Sequence, residues 1–108
     1  MLQYKMDTEA MEMGYDLPGR AERDIIAAAK RADVDRVVLF GSRARGTNTE
    51  RSDIDIAVSG GRFDDFYWDV NENAHTLLMF DIVELDRRIS DELTAEIKKD
   101  GVTIYEKN

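Results

Sequence analysis

Apolar and polar positions predict two consecutive strands in the first half of the chain. Residues 35–40 end in four successive apolar side chains, which is typical of a short buried strand. Residues 53–58 instead alternate with a period of two. Asp53 and Asp55 should therefore point to one face of the second strand, while the adjacent isoleucines point to the other.

The rest of the chain shows periodic or short apolar runs that predict further elements. Helices are expected at 18–32, 63–74 and 90–99, and strands at 79–85 and 102–105. In the second helix we expect Phe66, Tyr67 and Val70 to face inward. Trp68 should also be core, because aromatic side chains of amphipathic helices are usually buried. The alternation of elements indicates an α/β fold, an α+β sandwich with a mixed sheet of about four strands packed by helices.

Length and composition favour one small domain at 15–108, after an N-terminal arm at 1–14 that is mobile or weakly helical. The chain has 108 residues, no cysteine and a formal charge of −8. It has no apolar run of roughly 18 residues and no signal-peptide pattern, so a cytoplasmic protein without membrane contact is predicted. The acidic balance argues against direct nucleic-acid binding, which needs a basic face.

The turn after the first strand carries groups suited to phosphate. Gly41 allows a sharp turn and a close approach of an anion to the backbone. Ser42 is expected to cap a following helical turn and to offer its hydroxyl to a phosphate oxygen. Arg43 and Arg45 add guanidinium groups nearby, although one of them could instead pair with a surface carboxylate. A Gly-Ser pair alone would be an ordinary turn.

The two aspartates of the second strand form a candidate metal site. Residues two apart on a strand are separated by about 6.6 Å, so Asp53 and Asp55 can share one hard cation or hold two. Mg²⁺ suits such a site, since it prefers a few carboxylates together with waters and substrate phosphates. An isolated Asp-x-Asp is often a solvated strand face. A far more specific signal is their combination, in which a strand and a Gly-Ser turn are followed, after about ten residues, by a second strand with Asp-x-Asp.

The stretch 39–46, Leu-Phe-Gly-Ser-Arg-Ala-Arg-Gly, followed by Ser-Asp-Ile-Asp at 52–55, resembles the minimal nucleotidyltransferase domains of the DNA polymerase β-type superfamily. The resemblance runs from about residue 15 to the C-terminus and implies a nucleotidyltransferase fold. It also implies a third carboxylate on a later strand, for which Asp81 is the candidate. In that family pattern Asp53, Asp55 and Asp81 are catalytic and surround the metal, with Asp81 as the general base.

The resemblance further implies a reaction and a partner. Two Mg²⁺ ions and a nucleoside triphosphate, ATP, would serve to transfer AMP to a hydroxyl acceptor. The partner would be a helical HEPN ribonuclease toxin encoded nearby, which this chain would inactivate as an antitoxin by AMPylation of a tyrosine. Two alternatives stay open. The chain could be a non-catalytic antitoxin or binding subunit, or the catalytic subunit of a two-chain nucleotidyltransferase that modifies a small molecule.

Overall fold

The computed structural model describes residues 14–108, and the expectation of an arm at 1–14 lies outside these residues except for Gly14. The elements are, in chain order, α1 (Gly19–Arg31), β1 (Arg36–Phe40), α2 (Gly41–Arg45), β2 (Ile54–Ser59), α3 (Phe63–Asn73), β3 (Phe80–Glu84), α4 (Asp91–Asp100) and β4 (Val102–Glu106). The predicted helices and strands are confirmed to within two residues at each end. The short helix α2 adds one further element.

The strands form a single four-stranded sheet in the order β3-β2-β1-β4. Strand β1 pairs antiparallel with both β2 and β4, whereas β2 and β3 are parallel. A parallel pair needs a crossover connection, and α3 supplies it here. The predicted mixed sheet packed by helices is therefore confirmed.

Helices α1 and α3 cover one face of the sheet. Alternate strand residues face this layer and are fully buried: Val37, Leu39, Ile54, Ile56 and Val58. They pack with apolar side chains of both helices, among them Ile25, Phe66 and Val70. Complete burial of this aliphatic layer makes it the main source of hydrophobic stabilisation.

Helix α4 covers part of the opposite face, where the core is smaller. Val38, Phe40 and Ala57 are buried there against Ile97 of α4. Ser90 caps this helix as predicted, because its hydroxyl accepts a hydrogen bond from the backbone N–H of Leu93 at 3.1 Å. In the part of the chain that the structure describes, no helix is long and apolar enough to cross a membrane.

The prediction that Tyr67 and Trp68 belong to the core is wrong. Tyr67 is 36% exposed and Trp68 is 60% exposed, whereas Phe66 and Val70 are buried. Successive residues of a helix are rotated by about 100°, so the inward stripe that holds Phe66 and Val70 leaves the two intervening aromatic residues outside it.

Candidate active site

Two of the three predicted catalytic aspartates are neighbours across parallel strands. Asp55 of β2 and Asp81 of β3 are register partners, although 81 − 55 = 26 positions separate them in the sequence. Adjacent strands lie about 4.8 Å apart, and side chains in matching register point to the same face. Both carboxylates therefore project from the sheet face that carries α4. Asp81, the candidate third carboxylate, therefore lies beside Asp55 in the sheet.

Asp53 lies just before β2, and its side chain is exposed, as is that of Asp81. Between residues 14 and 108, no three histidine, aspartate or glutamate side chains are close enough to hold a single ion. Because Asp53 and Asp81 are exposed, rotation of their side chains can bring their oxygens toward Asp55.

The turn at Gly41 packs closely against the carboxylate of Asp55. Gly41 has a φ of 74°, which side chains rarely allow, and it directly follows Phe40, the register partner of Asp55. A Cβ atom at position 41 would lie only 2.2 Å from Asp55 Oδ2. Glycine is thus required both for the turn and for the space that the Asp55 carboxylate occupies.

Asp55 has an altered acidity. Partial burial, followed by the negative charges of Asp81, Asp53 and Glu96, raises the pKa of its carboxyl from 3.8 to about 6, while the positive charge of Arg45 opposes this rise. Such clustered negative charge is relieved by a bound cation. The donors are hard carboxylate oxygens, which Mg²⁺ prefers, and Gly41 leaves them room. The residues present therefore fit the predicted metal.

Arg43 has a structural position rather than a place facing the aspartates. Its side chain is only 2% exposed. The guanidinium donates hydrogen bonds to backbone carbonyl oxygens of Ser52 (3.1 Å), Asp16 (3.1 Å), Glu50 (3.1 Å) and Thr49 (3.4 Å). These contacts fasten the loop that leads to Asp53. Because these carbonyl oxygens occupy the donors of the guanidinium, Arg43 is not positioned to bind a phosphate.

Arg45 pairs with acidic residues of α4, which is the alternative that the sequence left open. Its Nη1 lies 3.3 Å from Asp100 Oδ2 and 3.9 Å from Glu96 Oε1. Both contacts involve one guanidinium nitrogen, the side chain is 41% exposed, and its positive charge opposes the rise in the pKa of Asp55. Sequence reasoning missed Glu96 and Asp100. The one signal was an acidic residue in the last turn of a helix, where the helix dipole disfavours it.

Ser42 lies inside α2 instead of capping it. The helix begins at Gly41, with Phe40 as its N-cap and no side-chain cap, because the positive φ of Gly41 turns the chain one residue earlier than expected. Among residues 14–108, the Ser42 hydroxyl has no hydrogen-bond partner. It is half-buried and available to a ligand beside the turn.

A separate cavity lies on the other side of the sheet. It has a volume of about 360 Å³ and lies between α1 and α3, lined by Asp24, Ala27, Arg31, Asp69, Asn73, Ala74 and His75. Its polar groups pair with one another: Arg31 Nε lies 2.8 Å from Asp69, and His75 Nδ1 lies 3.0 Å from Asp24. The cavity is lined by none of the predicted catalytic aspartates.

Solved structures with the same fold can be recognised at low sequence identity. A toxin–antitoxin crystallised with AMP-PNP is 23% identical, with a TM-score of 0.58, over 81% of this chain and 74% of that one. A mutant MntA–HpeT toxin–antitoxin is 24% identical, with a TM-score of 0.61, over 81% of this chain and 74% of that one. A putative nucleotidyltransferase from Sulfolobus solfataricus is 21% identical, with a TM-score of 0.54, over 92% and 85%. Likeness at this level establishes the fold.

Sequence comparison establishes the family. A search of curated proteins found no match. The family model described as "Polymerase beta, Nucleotidyltransferase" matches residues 23–108, a range that includes the Gly41–Ser42 turn and all three aspartates. The chain therefore belongs to the polymerase β-type nucleotidyltransferase family.

Proposed function

We propose that this chain transfers AMP from ATP to a hydroxyl acceptor with the help of Mg²⁺. The observation that carries the proposal is the contact between Asp55 and the Gly41 turn, with Asp81 beside Asp55 in parallel register. A phosphate-accepting turn, a metal-binding carboxylate and a candidate base thus meet at one end of one sheet face. Family membership supports nucleotidyl transfer as the reaction class.

Different residues are positioned to bind the triphosphate and the metal. Gly41 and Ser42 offer backbone space and a hydroxyl to the triphosphate, and Arg45 offers its partly exposed guanidinium to phosphate oxygens. Asp53 and Asp55, with Asp81, would hold Mg²⁺, two ions in the family pattern. When bound, Mg²⁺ neutralises charge that develops on the α-phosphate and orients the triphosphate.

Asp81 is the proposed general base. It lies on β3, an edge strand of the sheet, and its side chain is exposed, so an acceptor can approach it from solvent. It would accept the proton of the attacking hydroxyl as the new bond to the α-phosphate forms and pyrophosphate leaves. The protein contributes mainly orientation and electrostatic complementarity to this step.

The acceptor we propose is a tyrosine of a toxin partner, a helical HEPN ribonuclease, which would make this chain an antitoxin. Support comes from the family resemblance and from fold relatives described as toxin–antitoxin assemblies, one of them crystallised with AMP-PNP. A binding antitoxin without turnover, or a subunit that modifies a small molecule, would share the fold but differ in where the label goes.

The test follows AMP from α-labelled ATP in the presence of Mg²⁺, with and without the protein encoded next to this chain. We expect label on that protein, and loss of label with Asp53→Asn. The matched control is Glu106→Gln, which removes one exposed carboxylate at the end of β4, the other edge strand. Stable binding without label on either chain would contradict transfer to protein. Protection from the toxin by Asp53→Asn would contradict a catalytic antitoxin.

A further inference from the structure

Helix α3 exposes an aromatic residue between two acidic ones. Asp64, Trp68 and Glu72 are spaced four residues apart, so they form one stripe along the outer surface of the helix. Trp68 is 60% exposed, and Tyr67 packs edge-on against it with ring centroids 5.3 Å apart. We call Asp64, Tyr67, Trp68 and Glu72 the α3 face. An exposed Trp–Tyr pair is the composition typical of a binding hot spot.

The charge of the α3 face is not balanced within the described chain. Helix α3 has four acidic residues and no basic one. Asp65 pairs with Arg62 at 3.0 Å, and Asp69 pairs with Arg31 at 2.8 Å. Asp64 and Glu72 form no ion pair with any residue from 14 to 108. Their carboxylates lie about 12 Å apart along the helix axis, one turn to either side of the indole of Trp68.

We propose that the α3 face docks a protein partner with a basic surface, on which two cationic side chains flank an apolar slot for Trp68. A nucleic acid or an anionic membrane would be repelled by Asp64 and Glu72. A second copy packed symmetrically on this face would bring acidic stripes together, which is also unfavourable. Charge complementarity therefore selects a basic protein surface, and Trp68 supplies the apolar anchor.

The α3 face lies on the opposite side of the sheet from the candidate catalytic aspartates, so docking and AMP transfer would use different surfaces. Helix α3 packs on the sheet face opposite the one that carries Asp55 and Asp81. A partner held at Trp68 therefore leaves the carboxylates uncovered for ATP and for an acceptor segment. If the nucleotidyltransferase proposal is correct, this surface holds the toxin while the other sheet face modifies it. The identity of the partner rests on that proposal, whereas the chemistry of the surface does not.

The test measures binding between the full chain and the protein encoded next to it, by titration calorimetry at about 50 and about 300 mM salt. Truncation of a hot-spot tryptophan weakens binding by roughly tenfold or more, and this is the result we expect for Trp68→Ala. The double variant D64N/E72Q should bind several-fold more weakly and lose most of the salt dependence. Leu77→Ser is the control, because Leu77 is a fully exposed apolar residue outside α3, and it should bind as the wild type does.

A structural readout accompanies the titration, because Trp68 is the only tryptophan of the chain. The difference in fluorescence emission between the complexes of the wild type and of Trp68→Phe isolates the signal of Trp68. On binding, this signal should shift to shorter wavelength and become less sensitive to quenching by acrylamide. Binding by Trp68→Ala within twofold of the wild type would overturn the proposal. So would dimerisation of the free chain that Trp68→Ala abolishes.

The label-transfer assay on the same variants keeps the two proposals distinguishable. If the wild type transfers label normally to the neighbour protein and Trp68→Ala binds that protein equally well, the docking role of the α3 face is refuted and the enzymatic proposal is not. Binding that depends on Trp68, without transfer, would support the α3 face and refute transfer of AMP to that protein.

Discussion

The two faces of the sheet are built from the same strands but differ in what covers them. In β2, Ile54, Ile56 and Val58 are fully buried beneath α1 and α3, whereas Asp55 on the other face is only half-buried. The period of two that buries one set of side chains necessarily presents the other set to the opposite side. One face is therefore constrained by packing, and the other has room for charge. Substitutions on the two faces should consequently affect different properties.

The largest expected effect is on activity, from Asp55→Asn. Loss of one carboxylate that contacts the Gly41 turn should lower kcat/KM for ATP by roughly a thousandfold, comparable to removing one preorganised electrostatic group. Stability should not fall, since the amide removes repulsion from Asp81 and Asp53. Steady-state kinetics and urea unfolding measure the two effects. An Asp55→Asn variant that is less stable than the wild type would contradict the separation of the two faces.

The reciprocal change is Ile56→Ala on the packed face. Truncation of a fully buried isoleucine should cost about 2–5 kcal/mol of unfolding free energy, through lost burial and a cavity. The milder control, Ile56→Val, should cost about 0.5–1.5 kcal/mol. Under conditions where the variants remain folded, kcat should stay close to that of the wild type. Urea unfolding, monitored by circular dichroism, measures the loss of stability. A large fall in kcat of a fully folded variant would contradict the division of packing and activity between the two faces.

The pH dependence of stability sharpens the comparison further. Because the folded pKa of Asp55 is raised from 3.8 to about 6, the folded state holds the proton more tightly than the unfolded state. This carboxyl therefore lowers the unfolding free energy as pH rises from about 4 to about 6, by on the order of 1 kcal/mol after screening by water, and the loss persists above that range.

The measurement is urea unfolding in EDTA between these pH values, for wild type and Asp55→Asn. The difference between the two isolates Asp55, because other carboxyls, such as those of Asp33 and Asp69, have lowered pKa values and act in the opposite direction. Added Mg²⁺ should restore stability above pH of about 6 in the wild type only. Equal pH profiles for both proteins would contradict the raised pKa of Asp55.

The smallest expected effect comes from Asp100→Asn. This change removes the closer carboxylate partner of Arg45 and should raise KM for ATP a few-fold with little change in kcat, because Arg45 is then less well positioned. The surface ion pair itself contributes only about 0.2–1 kcal/mol to stability. In an Arg45→Ala background the same substitution should have no further effect on KM. Additive effects would show that Asp100 does not act through Arg45.

Most of the fold follows from local patterns, whereas contacts between distant segments do not. The period of two located β2 and the face of the sheet that carries Asp55, and capping chemistry located the start of α4. Arg43 looked like a phosphate ligand because charge alone gave no sign that loop carbonyls would surround it. Trp68 looked like a core residue because residue type says nothing about how wide a stripe the neighbouring elements cover.

The parallel pairing of β2 and β3 has a consequence for biogenesis. Asp55 and Asp81 meet only after the crossover through α3 has closed, so the proposed ion site cannot form in a chain that stops short of β3. Binding of the proposed ion and nucleotide would then be linked to completion of the sheet, since ligands that bind only the native state stabilise it. Newly synthesised chains would gain ligand affinity late, and the affinity itself would report that folding is complete.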